Sequence, residues 1–232
     1  MKETIRHVMR ECINASCRMR FPVILQMPRD VKCPLCSSPT IAVIPPYEEH
    51  RVSGIDCRTD GTPLEALLDN IRSIYNVGSM FRTSDGAGIS RLHLCGMTPT
   101  PGNPRLAKTA LGAQETVAWT YERNGLIAAR TLRESGKRLW ALEGGAASVP
   151  LHEAVQAIPG APIVLVVGNE VSGVDPGIME LCDRIVHIPM KGSKTSLNAA
   201  VAFGIAAFTL CSIPGASGES PIASSGGPAS MR

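Results

Sequence analysis

The chain has 232 residues, 44% of them hydrophobic and 19% charged, with a formal net charge of +3. This is the profile of an ordinary soluble protein with room for one sizeable core and a small appendage. No stretch approaches the roughly 18 unbroken apolar residues of a membrane span, and the charge alone is too small to announce a nucleic-acid binder.

The N-terminal MKETIRHVMR lacks both an apolar signal core and a small-residue cleavage site, so a cytoplasmic protein is expected. Residues 1–58 hold nine Lys/Arg against six Asp/Glu, and the remainder holds fourteen of each. The whole positive excess therefore lies in the N-terminal piece, a weak footprint for a polyanion.

Within residues 1–45, Cys12, Cys17, Cys33 and Cys36 form a C-x4-C-x15-C-x2-C pattern. In a cytosolic protein such spacing indicates metal ligands rather than disulfides. Four thiolates on two short knuckles suit a tetrahedral Zn²⁺ with no open position, hence a structural zinc ribbon whose folding energy comes from the metal. RFPVILQM between the knuckles reads as a strand, and His50 or Cys57 is a minor alternative ligand. Residues 46–62 are polar and lack a hydrophobic period, as in a linker.

From residue 63 to 213, short apolar runs alternate with helical patterns. Strands are predicted at Leu64–Asp69, Arg91–Cys95, Arg138–Leu142, Ile163–Val167 and Ile185–Ile188. Helices are predicted at Val77–Ala87, Leu126–Glu134, Leu151–Ala157, Pro176–Leu181 and Leu197–Leu210. Asp175 before Pro176 is a cap followed by a residue favoured at the first helical position, and Ser196 is placed to cap the last helix. The alternation predicts an α/β fold, a mostly parallel sheet with helices on both faces. Such sheets bind ligands at the carboxyl ends of their strands. The tail, residues 214–232, is rich in Gly, Ser, Pro and Ala and is expected to be disordered. The five histidines show no motif partners and read as structural or surface residues.

Three polar loops follow three of the strands: residues 70–88, residues 168–177, and the stretch from Ile188 into the last helix. None contains a phosphate-cradling G-x-x-x-x-G-K-[ST] or a strand-linked G-x-G-x-x-G. Spacing alone therefore ends at an α/β enzyme with polar loops.

Together, however, the loops resemble the SpoU (TrmH) family of RNA ribose 2′-O-methyltransferases of the SPOUT class. NVGSMFRTSDGAG is similar to that family's first motif, LVVGNEVSGV to its second, and IPMKGSKTSLNAAVAFGIAAF to its third. HLCGMTPTP and KTALGAQETVAW are similar to segments between the first two, so the resemblance covers about residues 64–211. It implies a deep trefoil knot near the C-terminus, S-adenosylmethionine held in the knotted loops, an RNA substrate (tRNA or rRNA) and a homodimer. By motif position it implies Asn76, Arg82, Glu170, Ser196 and Asn198 as the catalytic set. Gly168, Ile188, Met190 and Leu197 fall at the cofactor contacts. Two alternatives keep the fold and change the function: an RNA-binding protein without catalysis, and an RNA base methyltransferase.

Overall fold

The structure is a computed structural model describing residues 6–26, 30–48, 64–157 and 161–211. The expected tail, most of the expected linker, His50 and Cys57 lie outside the described residues. The chain divides into two compact units, Met1–Cys57 and Arg58–Arg232.

The first unit is a small antiparallel sheet. Its central strand β1 (Arg6–Cys12) pairs with β2 (Arg20–Ile24) on one side, and with β3 (Thr40–Ala42) and β4 (Tyr47–Glu48) on the other. Residues 47–48, assigned to the linker on polarity, thus form a strand of this sheet; pairing with Arg6 and His7 decides their conformation where hydrophobicity gives no signal. Beyond the strands the chain turns through two knuckles of the same build. In one, the amides of Cys17 and Arg18 donate to the Asn14 carbonyl; in the other, the Ser37 amide donates to the Cys33 carbonyl. The residue after each second cysteine is left-handed, Arg18 at φ 47° and Ser37 at φ 58°. A non-glycine residue pays roughly 1 kcal/mol for that conformation, so something else must hold the turns.

The second unit is built on a seven-stranded sheet. In chain order its strands are β5 (Leu64–Asp69), β6 (Arg91–Cys95), β7 (Ala118–Glu122), β8 (Arg138–Leu142), β9 (Val149–Pro150), β10 (Ile163–Val167) and β11 (Arg184–His187). The spatial order is β7-β6-β5-β10-β8-β11-β9, with every neighbouring pair parallel. β10, sequence IVLVV, is central and buried at all five positions, so it reads as a continuous apolar run instead of an alternating one. Helices α1 (Ile74–Ala87) and α7 (Ala199–Cys211) cover one face, packing Met80, Phe81 and Phe203 against Leu68, Leu92 and Leu165. Helix α4 (Gly125–Glu134) covers the other, burying Ala129 and Leu132 against Leu67, Leu139 and Val164. Each fully buried aliphatic side chain contributes about 1.5–3 kcal/mol. The short helices α2 (Pro104–Ala110), α3 (Ala113–Thr116), α5 (Leu151–Ala154) and α6 (Pro176–Met179) complete the unit.

β7, α2, α3 and β9 lie where the sequence predicts no element. All five residues of β7 are exposed at the sheet edge, leaving no buried face for a hydrophobic pattern to mark. The last helix begins at Ala199, two residues later than predicted, and its cap is Asn198 and not Ser196. Asn198 Oδ1 accepts from the amides of Ala200 (2.9 Å) and Val201 (3.3 Å). Among the histidines, His93 is bound on both ring nitrogens, to Glu65 at 2.7 Å and Thr120 at 2.9 Å, and Lys137 Nζ reaches the same Glu65 carboxylate at 2.7 Å.

Candidate active site and metal centre

The carboxyl end of β5 leads through a short turn into α1. Ser73 caps that helix by accepting from the Asn76 amide (3.3 Å), so Asn76 lies inside the first turn with its side chain almost wholly buried. The acidic residue of the second loop takes over the rest of the helix entrance. Glu170 accepts from the amides of Arg72 (2.8 Å) and Ser73 (3.0 Å), a carboxylate placed where the helix dipole and its unpaired N–H groups favour negative charge. Burial pushes the Glu170 carboxyl up, but those amides, its own backbone amide and Asn76 outweigh it and hold it below the ordinary glutamate value.

Asn76 Nδ2 donates to Glu170 Oε1 at 2.9 Å, and Asn76 Oδ1 accepts from Asn198 Nδ2 at 3.0 Å. Amide orientations are fixed along this chain by elimination. An ionised carboxylate only accepts, so Asn76 must turn its NH₂ to Glu170 and its oxygen to Asn198. Asn198 then has its own oxygen free for the amides that start α7. Three separated loops are thereby locked into one array.

Beside it lies a cavity of about 420 Å³ at the carboxyl ends of β8, β10 and β11 and the entrance to α7. Gly168, Glu170, Ile188, Met190, Ser196, Leu197 and Asn198 all line it, so the four expected cofactor positions and three of the five expected catalytic ones share one space. The loop from β10 is tightly folded. Asn169 and Gly173 exchange backbone hydrogen bonds at 3.0 and 2.9 Å, with Gly173 at φ 76°. A Cβ on Gly168 would meet the backbone of Gly173 and Val174 at 2.3 Å, so only glycine fits there. Asn169, given no role from sequence, ties this loop to the first by donating to the Asn70 carbonyl at 2.7 Å.

Arg82 is not brought to this cavity within the chain. It stands exposed on α1, six residues past Asn76, hence roughly 9 Å further along the axis and about 120° around it.

In the first unit the four cysteine sulfurs lie within 4.8 Å of one another, with Cys12 and Cys36 at 3.5 Å and Cys17 and Cys33 at 3.7 Å. A zinc tetrahedron with Zn–S of about 2.3 Å has edges of about 3.8 Å, close to those two separations, so the donor set suits such an ion. Burial raises the Cys12 thiol to about 12, whereas the Ser38 side chain and amide draw Cys36 down to about 6. Bringing all four to thiolates is what a divalent cation would do.

The architecture defines the class first: an all-parallel α/β protein with a ligand-sized cavity at the carboxyl ends of its strands. Within that class the chain belongs to the SpoU rRNA Methylase family, whose profile matches residues 63–208. It is 35% identical over 147 residues to the 23S rRNA (guanosine-2′-O-)-methyltransferase RlmB of Vibrio parahaemolyticus, covering 63% of this chain and 58% of that protein. It is 37% identical over 150 residues to the RlmB of Ralstonia nicotianae, covering 64% and 58%. The chain thus matches little more than half the length of either relative. Among solved structures, it aligns with the A. aeolicus TrmH/SpoU tRNA modifying enzyme at a TM-score of 0.58 and 28% identity, over 65% of this chain and 75% of that one. The AdoMet-bound rRNA methyltransferase from Sinorhizobium meliloti aligns at 0.59 and 28%, over 71% and 62%.

Proposed function

We propose that this protein transfers a methyl group from S-adenosylmethionine to a ribose 2′-hydroxyl of tRNA or rRNA. The observation that carries this reading is the Glu170–Asn76–Asn198 array, which gathers three loops beside one cavity. S-adenosylmethionine, when bound, supplies a methyl already activated on a sulfonium. The protein's task is then alignment of the sugar oxygen and removal of its proton. Gly168, Ile188, Met190 and Leu197 hold the cofactor. Ser196 and Asn198, which line the cavity, fix the ribose, and Asn76 with Glu170 holds the array rigid by pinning the start of α1.

Arg82 works as a clamp on an adjacent RNA phosphate, using the bidentate geometry of a guanidinium. A guanidinium holds its proton firmly and is a poor base, so the hydroxyl proton passes to a phosphate oxygen or a transiently neutral guanidine. Its position outside the cavity supports a homodimer in which the second copy supplies this group. The exposed Val201 and Ile205, four residues apart on α7, support pairing along that helix.

The first unit binds structural Zn²⁺ through Cys12, Cys17, Cys33 and Cys36 and helps dock RNA through its basic excess. We read the loops after β8, β10 and β11 as the deep trefoil knot of the SPOUT class, and the protein as cytoplasmic. No helix among the described residues is long and apolar enough to cross a membrane.

The test is incubation of the purified protein with labelled S-adenosylmethionine and bulk tRNA or rRNA, followed by nucleoside mass spectrometry. A 2′-O-methylated nucleoside is the expected product. A methylated base would move the protein to the base methyltransferases, and RNA binding without transfer would make it a non-catalytic binder.

A further inference from the structure

One acidic residue of the cavity is left outside the catalytic array. Glu143 follows β8 directly, lines the same cavity as Gly168 and Leu197, and is half-buried. Its backbone amide donates to the Val186 carbonyl at 3.0 Å, so its position is fixed by β11. Each carboxylate oxygen accepts one amide: Oε1 from Gly144 at 3.1 Å, and Oε2 from Val174 at 3.1 Å. Gly173 leaves room for it, since a Cβ there would sit 2.5 Å from Oε2. The carboxylate is therefore aimed and held, yet each oxygen keeps unused acceptor capacity.

Glu170 differs, because it already accepts from Arg72, Ser73 and Asn76 in holding the loops together. Among the described residues lining the cavity there is no lysine or arginine to neutralise Glu143. An oriented carboxylate with free lone pairs and no cation partner calls for hydrogen-bond donors from a ligand. Leu142, immediately before it, and Ile188 give the cavity apolar walls suited to a flat base. The donors that accompany such a base are the two hydroxyls of its ribose, a pair that a two-oxygen acceptor can take together.

We propose that Glu143 is a further ligand-binding residue, which accepts the ribose hydroxyls of the nucleoside bound in this cavity. The inference rests on the cofactor reading above and goes beyond it in assigning an atom-level selectivity for a vicinal diol.

The test is calorimetric binding of S-adenosylhomocysteine and its 2′-deoxy and 3′-deoxy analogues to the full chain and to Glu143→Gln. The full chain should prefer the parent by about tenfold, since a site built to accept a hydroxyl penalises its loss. In Glu143→Gln the preference should shrink below about threefold, with the melting temperature within a few degrees, because the glutamine carbonyl still accepts one loop amide. Equal affinity of the unaltered chain for parent and deoxy analogues would overturn the proposal, and that measurement needs no variant to fold. Undiminished preference in Glu143→Gln would overturn it too. Failure of the unaltered chain to bind any of the three, or S-adenosylmethionine itself, removes the cofactor reading and this proposal with it.

Discussion

Asn198 Nδ2 donates to Asn76 Oδ1 across 3.0 Å, although 122 residues separate them in the chain. Neither amide has a choice of orientation, because Glu170 on one side only accepts and the α7 amides on the other only donate. A contact between two loops becomes a contact among three.

Asn76→Ala removes the middle of this array and leaves Glu170 and Asn198 each short of a partner. Losing hydrogen bonds at a largely buried site costs about 1–3 kcal/mol. A fall of several degrees in melting temperature is expected, along with at least a hundredfold loss of methyl transfer. Calorimetry should find cofactor affinity within about threefold of normal, as Asn76 does not line the cavity.

Arg82→Ala should abolish methyl transfer while leaving cofactor affinity and melting temperature nearly unchanged. The residue is exposed, and its proposed work is on RNA. Near-normal turnover would remove it from the mechanism.

Gly168→Ala drives a methyl group against the backbone of Gly173 and Val174. The loop must open, and overpacking of this kind costs about 1–3 kcal/mol. The expected readouts are a lower melting temperature and a loss of S-adenosylmethionine affinity exceeding about tenfold.

Metal analysis of the purified protein should find one zinc per chain. Cys33→Ser, which alters a buried cysteine of the proposed zinc site, should abolish retention of the metal and unfold the first unit. Protease mapping would then show cleavage within residues 6–48 and protection of residues 64–157.

The polar cluster under α4 sets the acid sensitivity of the second unit. Burial holds the His93 imidazole below its ordinary value against the pull of Glu65, so the native state keeps it neutral where the unfolded chain takes up a proton. Stability therefore falls as pH drops below about 6.5, the unfolded value for histidine. Burial pushes Glu65 up, but Lys137 and His93 outweigh it and hold it below the ordinary value. Its contribution is present above about pH 4.3 and is lost as pH falls through the native value. Melting temperature should decline in two steps on acidification, and His93→Gln should remove the upper one.

Four core strands stand at the bounds their apolar runs predict, because runs such as IVLVV have nowhere to go except the middle of a parallel sheet. Elements held by local or edge chemistry were less visible. Asn103 before Pro104 is the same starting signal as Asp175 before Pro176, and α2 buries Leu106 and Ala110 four residues apart, so this helix was open to the same reading as α6. The cap of α7 moved from Ser196 to Asn198 because a tertiary partner, Asn76, decides which side chain is held in place. Convergence of Asn76, Glu170 and Asn198 was legible only through motif resemblance, since each residue alone is an ordinary cap or loop group. The bonding of His93 was invisible for a related reason: its partners sit on strands 28 and 27 residues away.

The position of β10 bears on how the chain is made. Its neighbours β5 and β8 both precede it, so a nascent chain that ends before Ile163 holds two strand edges with their partner still unsynthesised. The gap between them can close only after most of the second unit has left the ribosome. Folding of this protein is thus tied to late, long-range pairing, which is slow. Chains stalled or truncated ahead of residue 163 present the sticky edges from which aggregates grow.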